Sequence, residues 1–215
     1  MEVVVAGVEL LHLVDRAFAV TGAGFSQWPD PHAHRSPADD EYSRVTDAAK
    51  WRIVGARGDA WLNALGEAAL AGIERDTTAR WVSQPGPWIS RTDRAVPHRR
   101  GALPLVIARS AIDDVPDAGV TLGVGDPAVW VAGLPECGCD ACDSGSQYDL
   151  DELDRIVLGV VAGTFRHLTS GERHITQFDP YGWRASGSFG RREVDAVLAN
   201  PRGWHQLAGA AWAKD

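Results

Sequence analysis

Apolar residues recur at roughly helical spacing through Val5, Val8, Leu11 or Leu13, and Phe18, with charged positions between them and Gly22 and Gly24 behind. Positions three and four apart share one face, so this spacing predicts an amphipathic helix over residues 3–20. A second helix is predicted after Thr46 and Asp47, which can cap it. Its apolar side runs through Trp51, Val54, Trp61, Leu65, Ala68, Leu70 and Ile73 to Glu74, although Gly55 and Gly58 weaken its first half. The most regular pattern covers residues 149–168, where Leu150, Leu153, Ile156, Val157, Val160, Val161, Thr164, Phe165 and Leu168 repeat. Asp149, Asp151 and Glu152 in its first turn, Arg166 and His167 in its last and Gly171 beyond all suit a helix dipole and its termination. A short helix over 192–199 is stopped by Asn200 and Pro201.

Between these lie β-favouring runs at 80–83, 103–109, 120–124 and 129–132, separated by Gly, Pro and Asp and expected to pair in one sheet. Residues 173–178 read as a further strand and 203–212 as a final strand or extended segment. The stretch 25–41 carries three prolines and many turn formers, which predicts a long irregular loop. The expected fold is α+β: a mainly antiparallel sheet packed against two or three amphipathic helices, with a cysteine-rich loop. A length of 215 residues predicts one globular domain over 1–215.

Charge narrows the partners. With 29 acidic against 21 basic residues, the formal net charge of −8 would repel a phosphate backbone, so nucleic acid is not an expected partner. The apolar start is interrupted by Glu9, His12, Asp15 and Arg16 and lacks a basic leader, which fits neither a signal peptide nor a membrane span. The expected location is therefore the cytoplasm, where clustered cysteines hold metal or do redox work more often than they form structural disulfides.

All three cysteines fall within six residues, at Cys137, Cys139 and Cys142. Cysteines kept only as small core residues would scatter among apolar positions. A tight turn between Cys139 and Cys142 brings two sulfurs together, and Gly138 lets the backbone swing Cys137 to the same centre. These three residues are the expected metal ligands and zinc the expected ion. A redox pair would want local positive charge, whereas Glu136, Asp140 and Asp143 flank the sulfurs. Zinc normally takes four ligands, so a His, Asp, Glu or water must complete the set, with Asp140 and Asp143 nearest in sequence and His98, His167, His174 or His205 arriving through the fold. The Pro-Cys-x-x-Cys half of the zinc deaminases is superficially similar, but no upstream His-x-Glu or Cys-x-Glu accompanies it.

Other constellations are weaker. Nine tryptophans serve mainly as core and loop braces, with Trp28 and Trp88, each beside proline, as candidate stacking surfaces. The glycines at 22–24 and 187–190 complete no phosphate-binding fingerprint, and no nucleophile elbow or His-Glu-x-x-His motif occurs. Arg91, Arg94, His98, Arg99 and Arg100 form the one basic patch, read as solvated loop charge, with an anion or an acidic surface of the same protein as alternatives.

Residues 25–29, 40–47, 101–106, 119–126 and 137–145 together resemble an actinobacterial family of unknown function, with the cysteine segment as the most specific part. The resemblance implies a bacterial cytosolic protein and carries no catalytic residue. The first functional expectation is a cytosolic binding or interaction module with a structural zinc site, its partner a protein or a second copy. The alternatives are a metal-dependent hydrolase using metal-bound water, with Glu136, Asp140 or Asp143 as acid or base, and a thiol redox sensor on Cys139 and Cys142.

Overall fold

The computed structural model describes residues 2–86, 88–179 and 182–213, with side chains from residue 7 onward. Helix α1 (Glu2–Thr21) leads into the proline-rich loop, two 3-10 turns at Asp39–Ser43 and Ala48–Trp51, and helix α2 (Arg52–Glu67). Strands β1 (Ala71–Glu74), β2 (Ile89–Pro97), β3 (Leu105–Ile112), β4 (Val115–Gly125) and β5 (Ala128–Leu134) follow as an antiparallel meander in the order β1-β2-β3-β4-β5. After the cysteine loop come helix α3 (Ser146–Val161), strands β6 (Arg166–Ser170), β7 (Arg173–Gln177) and β8 (Trp183–Ser186), helix α4 (Arg191–Ala199) and strand β9 (His205–Ala208). The last four strands form a second antiparallel sheet in the order β8-β7-β6-β9. The fold is α+β, as expected, but its strands make two sheets, where one was expected.

Helix α2 is the central element. Ile53, Val54, Trp61, Leu62 and Leu65 are fully or almost fully buried, packed with Leu10 and Val14 of α1, Leu153, Ile156 and Val157 of α3, and Leu105, Ile107, Val120 and Leu122 of the large sheet. Burying such side chains contributes about 1.5–3 kcal/mol each, the main term holding three helices on one sheet. A smaller cluster of Leu168, Ile175 and Val194 joins the second sheet to α4, with Trp183, Phe189 and Trp204 around it.

Charged groups are threaded through this packing. Arg57 of α2 reaches Asp154 of α3 with bonds of 2.9 and 2.6 Å and Asp15 of α1 at 2.8 Å, while Trp61 Nε1 donates to the same Asp154 at 2.6 Å. Arg109 of β3 donates from Nη2 to the Gly55 carbonyl at 2.7 Å and lies 2.8 Å from Asp59. A Cβ at Gly55 would sit 2.9 Å from Arg109 Nε and one at Gly58 3.0 Å from Ile107 Cγ2. The two glycines that weaken the helix pattern are thus the space into which a buried guanidinium fits.

Several boundaries differ from the sequence expectation for physical reasons. The helix expected to reach Glu74 ends at Glu67, turns through Ala69 at φ 53°, and gives way to β1, whose Ile73 packs on Gly66. The helix expected over 149–168 starts at Ser146, ends at Val161 and reverses at Gly163, φ 72°, where a Cβ would meet the backbone of Ala210 and Ala211. Phe165 and Leu168 continue the apolar period but are buried from a loop and a strand instead. Residues 80–83 make only an isolated bridge from Trp81 to Ala128. Two of the five residues of the basic patch are on β2, where Arg91 pairs with Asp59 and Asp93 and Arg94 with Glu74 and Asp126, while His98, Arg99 and Arg100 lie in the turn that follows.

Candidate metal centre

The cysteine loop leaves β5 through Pro135 and ends at the N-terminus of α3, so it bridges the large sheet and a core helix. Gly138 lies against Ile112 at the end of β3, and a Cβ there would fall 2.3 Å from Ile112 Cγ2. Residues Asp140–Cys142 then form a single 3-10 turn, closed by the Cys142 N–H donating to the Cys139 carbonyl at 3.1 Å. This turn gathers the thiols: the sulfurs of Cys137, Cys139 and Cys142 all lie within 4.8 Å of one another, with Cys137 and Cys139 3.2 Å apart. Cys139 is buried, Cys137 and Cys142 are exposed, and none is in a disulfide. A tetrahedral zinc thiolate with bonds of about 2.3 Å needs sulfurs about 3.8 Å apart, so small side-chain rotations accommodate the ion.

The thiols perturb one another. Burial pushes Cys139 up, but hydrogen bonds from Cys137, Cys142 and the backbone N–H groups of Cys142 and Ala141 outweigh it and leave this thiol below its ordinary range. Cys142 is pushed up to about 12, first by its hydrogen bond to Cys139 and then by burial and the neighbouring charges. A cation at the centre would replace this competition for one negative charge by attraction to all three sulfurs.

Both aspartates flanking the thiols are occupied elsewhere. Asp140 accepts from Arg44 Nε at 2.7 Å, Thr46 N at 2.9 Å and Thr46 Oγ1 at 2.5 Å. Burial raises its carboxyl, but the bonds to Thr46 and Arg44 win and hold it at about 2. Asp143 is 3% exposed and accepts from Trp28 Nε1 at 2.9 Å, Lys50 Nζ at 2.5 Å and Gly145 N at 2.8 Å. Lys50 Nζ also sits 5.1 Å from the ring centres of both Trp28 and Trp51, which meet edge to face. These two carboxylates therefore clamp the loop, and the expected fourth-ligand role falls to neither.

The same contacts order the proline-rich segment. Trp28 and Ser146 exchange bonds, with Trp28 N donating to Ser146 Oγ at 3.2 Å and Ser146 N to the Trp28 carbonyl at 3.1 Å. Gly145, at φ 81°, has the Trp28–Asp30 backbone where a Cβ would be, the nearest atom being Asp30 N at 2.6 Å. Asp143 O and His32 Nδ1 lie 3.2 Å apart, and Glu41, held at about 2 by Arg35 first and then by the Ala38 N–H, closes the loop. Trp28 is thus a brace, whereas Trp88 is 66% exposed.

The histidines named from the sequence lie elsewhere. His98 follows β2, His167 and His174 stack at 5.6 Å in the second sheet, and His205 is on β9. Among the described residues, the group of potential metal-binding side chains here consists of the three cysteines. Sequence reading missed the support supplied by Trp28, Lys50 and Ser146. The one local signal was the Asp143-Ser-Gly-Ser146 turn ahead of a helix.

Gly138→Ala should destabilise the protein by about 1–3 kcal/mol, because the added methyl lands on the Cγ2 methyl of Ile112, a short β-branched group held close to the β3 backbone. Urea unfolding measures it, and combining the change with Ile112→Ala should recover part of the loss if that contact is the cause.

The fold and the site together define an α+β protein carrying a three-cysteine group that can hold a metal ion. Residues 14–215 match the model of DUF6226, a family of unknown function, and the chain belongs to it. No curated protein and no solved structure matches the chain. Among the described residues no helix is long and apolar enough to cross a membrane.

Proposed function

We propose that the chain is a zinc-binding module in which one ion on Cys137, Cys139 and Cys142 pins the connection between β5 and α3, and that it acts by binding a partner. The observation that carries this reading is the commitment of the neighbouring carboxylates. Asp140 and Asp143 tie the cysteine loop to Arg44, Thr46, Trp28 and Lys50, which is the arrangement of a structural staple. Of the three groups named for the hydrolytic alternative, Asp140 and Asp143 are occupied by these bonds, which leaves Glu136 as its one candidate acid or base. Three thiols convergent without a disulfide suit a reducing compartment, and thiolates are ordinary ligands of zinc, a borderline-soft ion.

Metal analysis and thiol titration on the purified protein test it. The expected result is about one zinc per chain with slowly reacting thiols, and a melting temperature lowered by about 5 °C on chelation, the shift for about 2 kcal/mol of linked binding energy at this size. Cys142→Ser should lower zinc content and stability together. Metal-free protein with rapidly reacting thiols would overturn the reading.

A further inference from the structure

A cleft of about 500 Å³ opens beside the cysteine loop, between residues 83–86, the end of β3 and the segment from Gly133 to Gly138. Pro85, Ile112 and Pro135 form its apolar walls, and Trp130, 49% exposed, lies along it. Two charged side chains reach it, Glu136 and Arg184. Arg184 is already answered by Glu152, its Nη2 2.8 Å from Oε1. Glu136 is exposed and makes no ion pair with any described residue, so the cleft keeps one uncompensated negative charge on a protein of net charge −8.

The backbone adds a second feature. Strand β5 is the edge of the large sheet, and among the described residues its outer side bonds to another segment only at Ala128, through Arg80 and Val82. Beyond that point the edge runs through Trp130 into the cleft wall at Gly133 and Leu134. An exposed edge takes up an extended chain through main-chain hydrogen bonds, and side-chain pockets beside it set which chain. Trp130 and Glu136 both line the cleft, and each attracts a cation, the indole through its ring quadrupole and the carboxylate through its charge.

We propose that this cleft binds an extended basic peptide segment of a protein partner, lying along β5 with arginine or lysine side chains toward Trp130 and Glu136. This names the partner class for the binding module proposed above and rests on that reading. The metal loop builds one wall of the cleft, since Glu136 and Gly138 flank the ligand Cys137. A zinc ion on three thiolates carries a net charge of about −1, which adds to the attraction for a cation.

The test is calorimetric titration of the zinc-loaded protein with a blocked hexapeptide of alternating valine and arginine, and with its valine and glutamate counterpart. Saturable binding of the arginine peptide is expected, with none of the glutamate peptide, and affinity should fall as salt rises. Trp130→Ala and Glu136→Gln should each weaken binding about fivefold or more, the factor for a cation–π or charge contact of this kind. Zinc content is measured on the same samples. Full zinc with no arginine-peptide binding, equal binding of both peptides, or unchanged affinity in both variants would overturn the cleft proposal and leave the metal reading standing. Loss of zinc from the unmodified protein would instead strike the metal reading.

Discussion

Asp149→Asn should raise the unfolding free energy at pH 8 by about 3–4 kcal/mol. Asp149 sits in the first turn of α3, 3% exposed. Burial, then the charges of Asp143 and Glu152, push its carboxyl up to about 7 from an ordinary 3.8. An unfolded chain releases this proton near the ordinary value and the folded chain near 7, so between those limits the folded state holds the extra proton. Stability contributed by this group therefore falls as pH rises from about 4 to 7, and above 7 the full cost of a buried charge remains. At 1.36 kcal/mol per pH unit the shift corresponds to about 4 kcal/mol, and asparagine keeps the shape without the charge.

His167 works the other way. Burial, then the charge of His174, lowers it to about 4, while its Nδ1 lies 2.8 Å from Thr176 Oγ1. The unfolded chain takes up a proton below about 6.5 and the folded chain only near 4, so this group removes stability as pH falls through that window. The two slopes oppose each other between pH 4 and 6.5. The unmodified protein should show a shallow profile there, and Asp149→Asn should show a clear loss toward acid. Urea midpoints measured from pH 4 to 8 decide this. A variant no more stable than the parent at pH 8 would mean that the buried carboxylate is already compensated.

Gly159→Ala should destabilise the protein by about 3–5 kcal/mol, among the largest effects expected of a single methyl. Helix α3 passes so close to the end of β7 that a Cβ at Gly159 would lie 2.1 Å from the Phe178 carbonyl oxygen and 2.9 Å from its carbon. Backbone is the obstacle, so no rotamer change relieves it. The same contact seats Thr164 Oγ1, which donates to the Phe178 carbonyl at 2.8 Å, and the Phe165 N–H, which donates to the Gly159 carbonyl at 3.0 Å. Forcing α3 away would also disturb Phe165 and Phe178, both fully buried. Thermal unfolding measures the loss. A change below about 1 kcal/mol would show that helix and strand separate freely here.

The helices were legible where one face alone is buried. The existence of α1 was legible from its period, but the buried face was not the one read: Leu10 and Val14 are buried, whereas Val8 is 49% exposed. The long strands β3 and β4 were legible from their β-favouring runs. β2 was not, because Arg91, Asp93 and Arg94 make it read as a charged loop until their partners Asp59, Glu74 and Asp126 are in place. β6 was hidden for the opposite reason, since Phe165 and Leu168 prolong the helical period past a glycine turn that only the backbone of Ala210 and Ala211 requires.

By itself the sequence determined the α+β class and the metal-binding candidates, because Cys137, Cys139 and Cys142 are close along the chain and a short turn brings their sulfurs together. The tertiary structure decided what surrounds them. Asp140 and Asp143 look like spare ligands in sequence and are clamps in space, because Arg44, Thr46, Trp28 and Lys50 arrive from about a hundred residues away. Local spacing can specify a turn of six residues, whereas the partners of a buried charge are fixed only when distant segments pack.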